Sequence, residues 1–517
     1  RPAVSPAATR SAPAGIGGRG VVLLIAALMA GALASKLGHT INNDVAWYIY
    51  SANAFLNGAR LYDDVFFDVN PPLMLYLTVP GVALARVTGL FPVHAFVLTV
   101  FAVAASSLWL GARVLSDAPA QHRRATLIVA FLALIVVPAG DFGQRSHLLV
   151  CLALPYLLLI AVRLQEGAPA PGWPLAAVVG AAAGLGFAIK PHYLLLPAAL
   201  EGLLLWRTRR LLCVLRPETL SAGAVVALYA GAVLLFTPEY VTRVVPYALE
   251  VYNGAYHNGL GVVLARPETL LVPLLVLVHC RARRALASRH AALGDVFSLS
   301  AVALLAIYVM QMKGWNYHIY PATAMLVMLA GTIATAPSGV LRPVRMMVFA
   351  VGVALVTKAA VTQNRYPLMN WLMPYVRAHA VDGAIYVFSS NVWTGFPMAV
   401  YAEVEWASRF PALWLLPGVE QRRRAAAPDA DMDLLEEMDR FTTESVIADL
   451  SARRPEIVFV DARPRKPWYG DIDFDFIAHF SADPRFAALW ARYERIGDEQ
   501  GFEVYRRRSD EIPLSLM

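Results

Sequence analysis

Acidic, basic and imidazole side chains gather in a few short polar stretches that interrupt a very apolar chain. The first opens Asn42-Asn43-Asp44 and runs through Asp63, Asp64 and Asp68 to Asn70-Pro71-Pro72. The second reads Asp141-Phe-Gly-Gln-Arg145-Ser-His147, and the third Lys190-Pro-His192-Tyr193. A fourth, Thr237–Pro267, carries Glu239, Arg243, Glu250 and His257 among tyrosines, and a fifth leads from Lys313 through Trp315 to His318. These residue types suit one kind of chemistry. A carboxylate takes the proton from an attacking hydroxyl; Lys, Arg and His hold and neutralise a phosphate as it departs. Asp44 is therefore the candidate general base, and Arg145, His147, Lys190, Lys313 and His318 are the candidate phosphate holders. Asp63, Asp64, Asp68, Glu239 and His257 are candidates for a second carboxylate or for acceptor binding.

Each has a plainer reading. Asp suits a helix N-cap, Asp63 and Asp64 follow Leu61-Tyr62 in a turn-like stretch, and Lys190 and Lys313 can snorkel. The tyrosines of the fourth stretch suit an interfacial belt. Against these stands the cost of ionisable groups at membrane depth, several kcal/mol unless paired, hydrated or at a cavity. The aspartates could also offer oxygen ligands to a divalent cation, which stays possible although no metal-specific spacing appears.

The elements that must position these residues are membrane spans. The chain of 517 residues is 58% hydrophobic and only 16% charged, far less charged than a soluble protein. Candidate spans are 20–38, 93–115, 125–140, 147–164, 174–190, 193–207, 219–237, 268–280, 294–311, 319–336 and 344–360. The run 21–34 also fits a cleaved signal peptide, but as a first span it closes the topology. Residues 1–19 read as a disordered cytoplasmic tail. Arg113, Arg123, Arg124, Arg163, Arg207, Arg209, Arg210, Arg216, Arg281, Arg283, Arg284, Arg289, Arg342 and Arg345 fall in alternate connectors, as positive-inside topology requires. That distribution accounts for the net charge of +7 without nucleic acid. Leu73–Val87 would put every later arginine on the wrong side if it crossed, so it is expected to lie along the membrane surface. The reading is eleven spans, N-terminus inside, with the polar stretches all on the outer side.

An early span, an outer loop opening with Asp44, and the re-entry Pro71-Pro72-Leu73-Met74-Leu75-Tyr76 resemble the GT-C superfamily of integral membrane glycosyltransferases. The resemblance is to the branch holding protein O-mannosyltransferases and lipid A aminoarabinose transferases. It implies a polyprenyl-phosphate sugar donor, inversion at the anomeric centre and an essential Asp early in the first outer loop, the place of Asp44. It also implies a bacterial inner-membrane protein, with membrane lipids as surroundings and a glycan, lipid or protein as acceptor; sugar and linkage stay open. No Walker loop or Gly-rich dinucleotide fingerprint is present, so a nucleotide sugar is not the expected donor. The alternatives are a polysaccharide ligase or polymerase using a lipid diphosphate, and a secondary transporter. Against the transporter, no internal repeat is visible.

After Arg365 charges return at ordinary density. Gly383–Ser389 and Glu456–Asp461 read as buried strands, Met432–Ala452 as a helix, and Tyr493–Tyr505 as a hairpin. The expected fold class is a polytopic α-helical membrane protein, GT-C-like, with a small α/β periplasmic domain over 362–517. Its Trp406-Ala-Ser-Arg409-Phe and Trp414 fit either an acceptor groove or core packing. Cys151, Cys213 and Cys280 all lie in or beside apolar runs, so no disulfide framework holds that domain.

Overall fold

A computed structural model describes residues 18–508 except 166, 168, 170, 337–341, 363, 382 and 426–430. The tail expected over residues 1–19 lies outside them, save for its last two residues, which open the first helix. The chain forms two compact units, Arg1–His39 and Thr40–Met517. In the first, Gly18–Leu37 is one apolar helix, α1.

In the second unit, each remaining candidate span is helical. Preceded by α2 (Asn43–Leu56) and α3 (Leu73–Thr88), they are α4 (Pro92–Val114), α5 (Ala120–Phe131, prolonged by a π-helical turn Leu132–Val136), α6 (Arg145–Arg163) and α7 (Trp173–Ala188). There follow α8 (Leu195–Thr208), α9 (Pro217–Phe236), α10 (Pro267–Ala282), α11 (Ser288–Gln311), α12 (Asn316–Ala334) and α13 (Arg342–Val361). Among the described residues five of these, α4, α6, α9, α11 and α12, are long and apolar enough to cross a membrane. Proline opens α4, α9 and α10, where a missing N–H costs nothing. Leu73–Val87, expected as a surface helix, is α3; Gly89 at φ +71° ends it, and its Gly81 packs directly against the Phe96 backbone of α4.

Helices α7 and α9 meet through small residues. A Cβ on Gly180 would overlap the Glu218 carbonyl, and one on Gly184 would come within 2.7 Å of the Ala222 carbonyl. Close approach of this kind is how helices associate where no hydrophobic driving force separates them from lipid. Gly180→Val is expected to destabilise the protein by about 1–3 kcal/mol, seen as a lower thermal midpoint in detergent. Gly231→Ala, where nothing lies within 4 Å of the added carbon, is the neutral comparison.

Opposite helix ends carry different chemistry. Arg163 at the end of α6 pairs with the fully buried Glu218 of α9 at 3.0 Å, and Arg216 pairs with Glu201. Asp295 of α11 gathers Arg207, His279 and Arg283. These ends belong to the arginine-rich connectors, while Asp44, Arg145, Lys190, Lys313 and His318 meet at the other ends.

The C-terminal region begins with α14 (Pro367–His379) and builds a five-stranded sheet, β1 (Ala384–Phe388), β2 (Glu405–Trp406), β3 (Ile457–Asp461), β4 (Tyr493–Glu499) and β5 (Phe502–Arg507), in the order β2-β1-β3-β5-β4. β1 pairs parallel with β2 and β3, and β5 pairs antiparallel with β3 and β4. The wholly buried β1 and β3 match the apolar runs expected of inner strands. Helices α15 (Leu416–Arg424) and α16 (Met432–Arg453) belong to the domain, together with the short helices Met398–Ala402, Phe476–Ser481 and Pro484–Trp490. It seats on the connector after α9: Gly418 abuts Val251, Arg422 pairs with Glu250 at 2.6 Å, and Tyr247 donates to Glu437. Trp406 is core, its indole N–H bound to the Phe410 carbonyl at 2.8 Å.

Candidate active site

The site starts at two helix N-termini. Asn42 caps α2, its side chain accepting from the Asp44 N–H at 2.9 Å, so Asp44 is not the cap. Asp44 lies in the first turn, where the helix dipole favours an anion. Gln144 caps α6 and donates both to Asn42 (2.9 Å) and to Asp44 Oδ2 (3.0 Å), joining the two helix starts. Arg145 completes the link with a 2.5 Å ion pair to the same oxygen, and Asn43 donates to Oδ1 at 2.8 Å. Arg145 is buried between the rings of Tyr48 and Tyr317, whereas the Asp44 side chain is 20% exposed and reaches a cavity.

The turn that delivers Arg145 is braced by His147. Gly143, at φ +84°, gives its N–H to His147 Nδ1 (2.9 Å), so Nε2 carries the proton donated to the Leu134 carbonyl (2.7 Å). The imidazole is fully buried and lines neither of the two chambers described below, so the structure places His147, expected among the phosphate holders, as a brace of this turn. Sequence spacing did not reveal this because the partner carbonyl comes from the irregular end of α5. His147→Ala leaves two buried backbone groups unpaired and is expected to destabilise by about 1–3 kcal/mol, read as thermal midpoint.

Two adjoining chambers open around this pair. The first, about 410 Å³, is lined by Asp44, Asp68, Asn70, Asp141 and Arg145, and by Ser390, Trp393, Trp414 and Trp468 of the C-terminal domain. The second, about 470 Å³, is lined by Lys190, His192, His257, Lys313 and His318. Arg145, Asn70, Tyr252, Trp315 and Tyr317 belong to both walls. Neither lysine forms an ion pair among the described residues; Lys313 Nζ lies 4.3 Å from the Tyr252 ring centroid and 3.4 Å from its carbonyl. Burial pulls the Lys313 ammonium down to about 8. His318 is buried, and among the described residues neither ring nitrogen has a hydrogen-bond partner.

Asp68 accepts from the Trp47 indole at 3.0 Å and from the Asn70 N–H at 2.8 Å. Burial raises its carboxyl, against the opposing pull of Arg145 and the Asn70 hydrogen bonds. Asp63 and Asp64 lie elsewhere, paired with the exposed Arg60 at 2.6 and 3.1 Å, and Glu239 lines neither chamber. Asp63→Asn with Asp64→Asn is expected to change stability and activity little, within about 0.5 kcal/mol. Of the four aspartates weighed for a divalent cation, only Asp44 and Asp68 share a chamber, and among the described residues no three His, Cys, Asp or Glu side chains form a metal cage.

Solved structures that share this architecture include two of the same protein. One is ArnT from Cupriavidus metallidurans bound to undecaprenyl phosphate, with TM-score 0.55 and 15% identity over 96% of this chain and 99% of that one. The other is the same ArnT in the apo state, with TM-score 0.53 and 14% identity over 94% and 97%. The fold is that of ArnT. By sequence, no family model matches the chain and neither does a curated protein. The GT-C resemblance of the Asp44 loop and the Pro71-Pro72 re-entry thus leads to the architecture that the ArnT comparison finds.

On the ArnT-like framework the chain places residues that its motifs did not announce. Tyr366 takes a hydrogen bond from the Asn43 N–H at 2.9 Å, and Asn364 donates to the Gly140 carbonyl at 2.6 Å, both from the link between α13 and α14. Trp393 and Trp468 come from loops beside β1 and β3. Trp315 and Tyr317 did stand in a visible polar stretch, beside Lys313 and His318. Tyr252, read as a belt aromatic, closes a π-helical turn (Ala248–Tyr252), a distortion frequent at functional sites.

Proposed function

We propose that the protein is a membrane glycosyltransferase drawing its sugar from a polyprenyl phosphate on the extracytoplasmic face of the inner membrane. One observation carries the reading: a chamber with two lysines and a buried histidine that have no ion-pair or hydrogen-bonding side-chain partner among the described residues adjoins a chamber with a partly exposed carboxylate, and Arg145 belongs to both. The undecaprenyl phosphate bound in the ArnT structure supports a donor of this class.

In this reading the donor phosphate lies among Lys190, Lys313 and His318, with its sugar at the wall between the chambers. Asp44 takes the proton of an acceptor hydroxyl as that oxygen bonds to the anomeric carbon. The bond from carbon to phosphate oxygen breaks on the opposite face, inverting the centre, and polyprenyl phosphate leaves with the electron pair. The lysines and Arg145 stabilise the negative charge that develops there. Arg145 also orients the carboxylate, so one guanidinium couples phosphate and base. The inner-membrane topology follows the arginine-rich connectors at the opposite helix ends.

The test uses full-length protein in nanodiscs with a panel of radiolabelled polyprenyl-phosphate hexoses and pentoses. Release of polyprenyl phosphate, with sugar appearing on an envelope extract, is the expected result. Preference for diphosphate-linked oligosaccharides would favour a ligase, and movement of intact solute without bond cleavage would favour a transporter.

A further inference from the structure

The donor chemistry leaves one group of residues unused. Trp393, Trp414 and Trp468 face the Asp44 chamber from the C-terminal domain. Trp414 is buried and held, its indole N–H on the Phe67 carbonyl at 3.0 Å and its ring stacked on Phe67. Trp393 and Trp468 are only half-buried, so part of each ring is left to the cavity.

Trp468 is the informative one. Its φ is +71°, a left-handed conformation that bulky residues rarely adopt. The surroundings hold it there: Gln421 donates to its carbonyl at 2.5 Å, Ser390 donates to the preceding Pro467 carbonyl at 2.7 Å, and the next residue, Tyr469, is buried against Phe474. Backbone strain of this kind persists only where the fold over-determines it, and it concentrates at ligand clamps. Core packing gives no reason for it, since the ring is not fully covered. What the strain achieves is placement: the indole stands 4.9 Å from the Tyr256 ring and 6.0 Å from the Trp315 ring, at the rim of the chamber that holds Asp44.

Around these flat faces the polar lining includes the neutral amides Asn70, Asn316, Asn364 and Asn391, beside the charged groups that surround Asp44. Amides offer both donors and acceptors, as ring hydroxyls require, and the aliphatic face of a pyranose suits an aromatic plane. A phosphate is disfavoured on this side, since three carboxylates, Asp44, Asp68 and Asp141, line the chamber against two guanidiniums, Arg145 and Arg365. No strand residue lines the chamber, so it offers no sheet edge on which an extended peptide could add as a strand.

We infer that the acceptor is a carbohydrate, whose sugar ring stacks on Trp468 and Trp393 and presents a hydroxyl to Asp44. The inference rests on the glycosyltransferase reading, but acceptor binding is measurable without the donor. The sugar belongs either to a free glycan or to a lipid headgroup, and the experiment separates them.

Full-length protein in nanodiscs is titrated by saturation-transfer NMR with maltotriose, mannotriose and chitotriose, with a lipopolysaccharide preparation, and with a Ser/Thr-rich peptide carrying no sugar. Undecaprenyl phosphate is titrated in parallel. Binding of at least one sugar-bearing probe is expected, through the free trisaccharides for a glycan acceptor or through lipopolysaccharide alone for a lipid headgroup. Trp468→Ala should weaken it about tenfold or more, Trp468→Phe should retain most of it, and both should bind undecaprenyl phosphate as the wild type does. That last measurement shows the variants are folded. Binding of the peptide but of no sugar, of no probe at all, or of sugar equally by Trp468→Ala would overturn the inference. Sugar binding without undecaprenyl phosphate binding would sink the donor reading and leave the acceptor assignment standing.

Discussion

Asp44→Asn is expected to lower sugar transfer by about 10²–10⁴-fold, the usual loss when a general base is removed. Asparagine keeps the shape, and its oxygen still accepts from Gln144 and Arg145, which in the native protein lie 3.0 and 2.5 Å from Oδ2. What is lost is a site for the acceptor's proton. The substitution also leaves the buried Arg145 without its counter-charge, and breaking a buried pair typically destabilises by about 3–5 kcal/mol. Two features soften this: the guanidinium keeps the hydroxyl of Tyr317 at 3.2 Å and the ring face of Tyr48. Undecaprenyl phosphate binding therefore serves as the control, and it should persist in the variant. Transfer by bound, folded Asp44→Asn protein at the wild-type rate would remove Asp44 from the chemistry. Asp68→Asn is the contrast. Asp68 is occupied by Trp47 and Asn70, and burial already favours its neutral form, so the loss should be under about tenfold.

The parts of this molecule that a periodic constraint governs were legible in the sequence. A bilayer demands long apolar helices, and every candidate span is helical in the fold, with most ends within a few residues of the expected ones. β1 and β3 were visible as apolar runs, and the hairpin of β4 and β5 as two alternating segments flanking Gln500-Gly501, both at positive φ. The site was legible as far as polarity at membrane depth is unusual. That reasoning found Asp44, Arg145, Lys190, Lys313 and His318, all of which line the two chambers.

It failed where polarity has a local use. His147 shares a loop with Arg145, but its nitrogens go to the backbone of Gly143 and Leu134. Asp63 and Asp64 satisfy Arg60 on the surface. Asn364, Trp393 and Trp468 were invisible for the opposite reason. They lie in links without period or motif, and only the docking of the C-terminal domain on the connector after α9 brings them beside Asp44. The Asn42-Asn43 pair shows both faces of the problem: the structure makes Asn42 the cap that frees Asp44 for the cavity.

Affinity for undecaprenyl phosphate should fall as pH rises through about 8, and Lys313 should be the cause. Burial holds the ammonium of the free protein at about 8, well below the ordinary lysine value. A bound phosphate favours the charged form, so binding and protonation of Lys313 reinforce each other. Below that pH the lysine is already charged and affinity is flat with respect to it; above it, binding must also draw a proton, and affinity drops with each further pH unit. The phosphate sets the other edge, since a monoester takes its second charge near about pH 6. The strongest binding is thus expected between about 6 and 8. Lys313→Met should cost about 1.5–3 kcal/mol at pH 7, roughly tenfold to hundredfold, and lose the alkaline limb. Lys313→Arg, always charged, should restore affinity while holding it flat through pH 9. The measurement is a binding isotherm at each pH in nanodiscs. An alkaline fall that survives in Lys313→Arg would assign the titration to another group, and a flat wild-type profile would mean that Lys313 does not touch the phosphate.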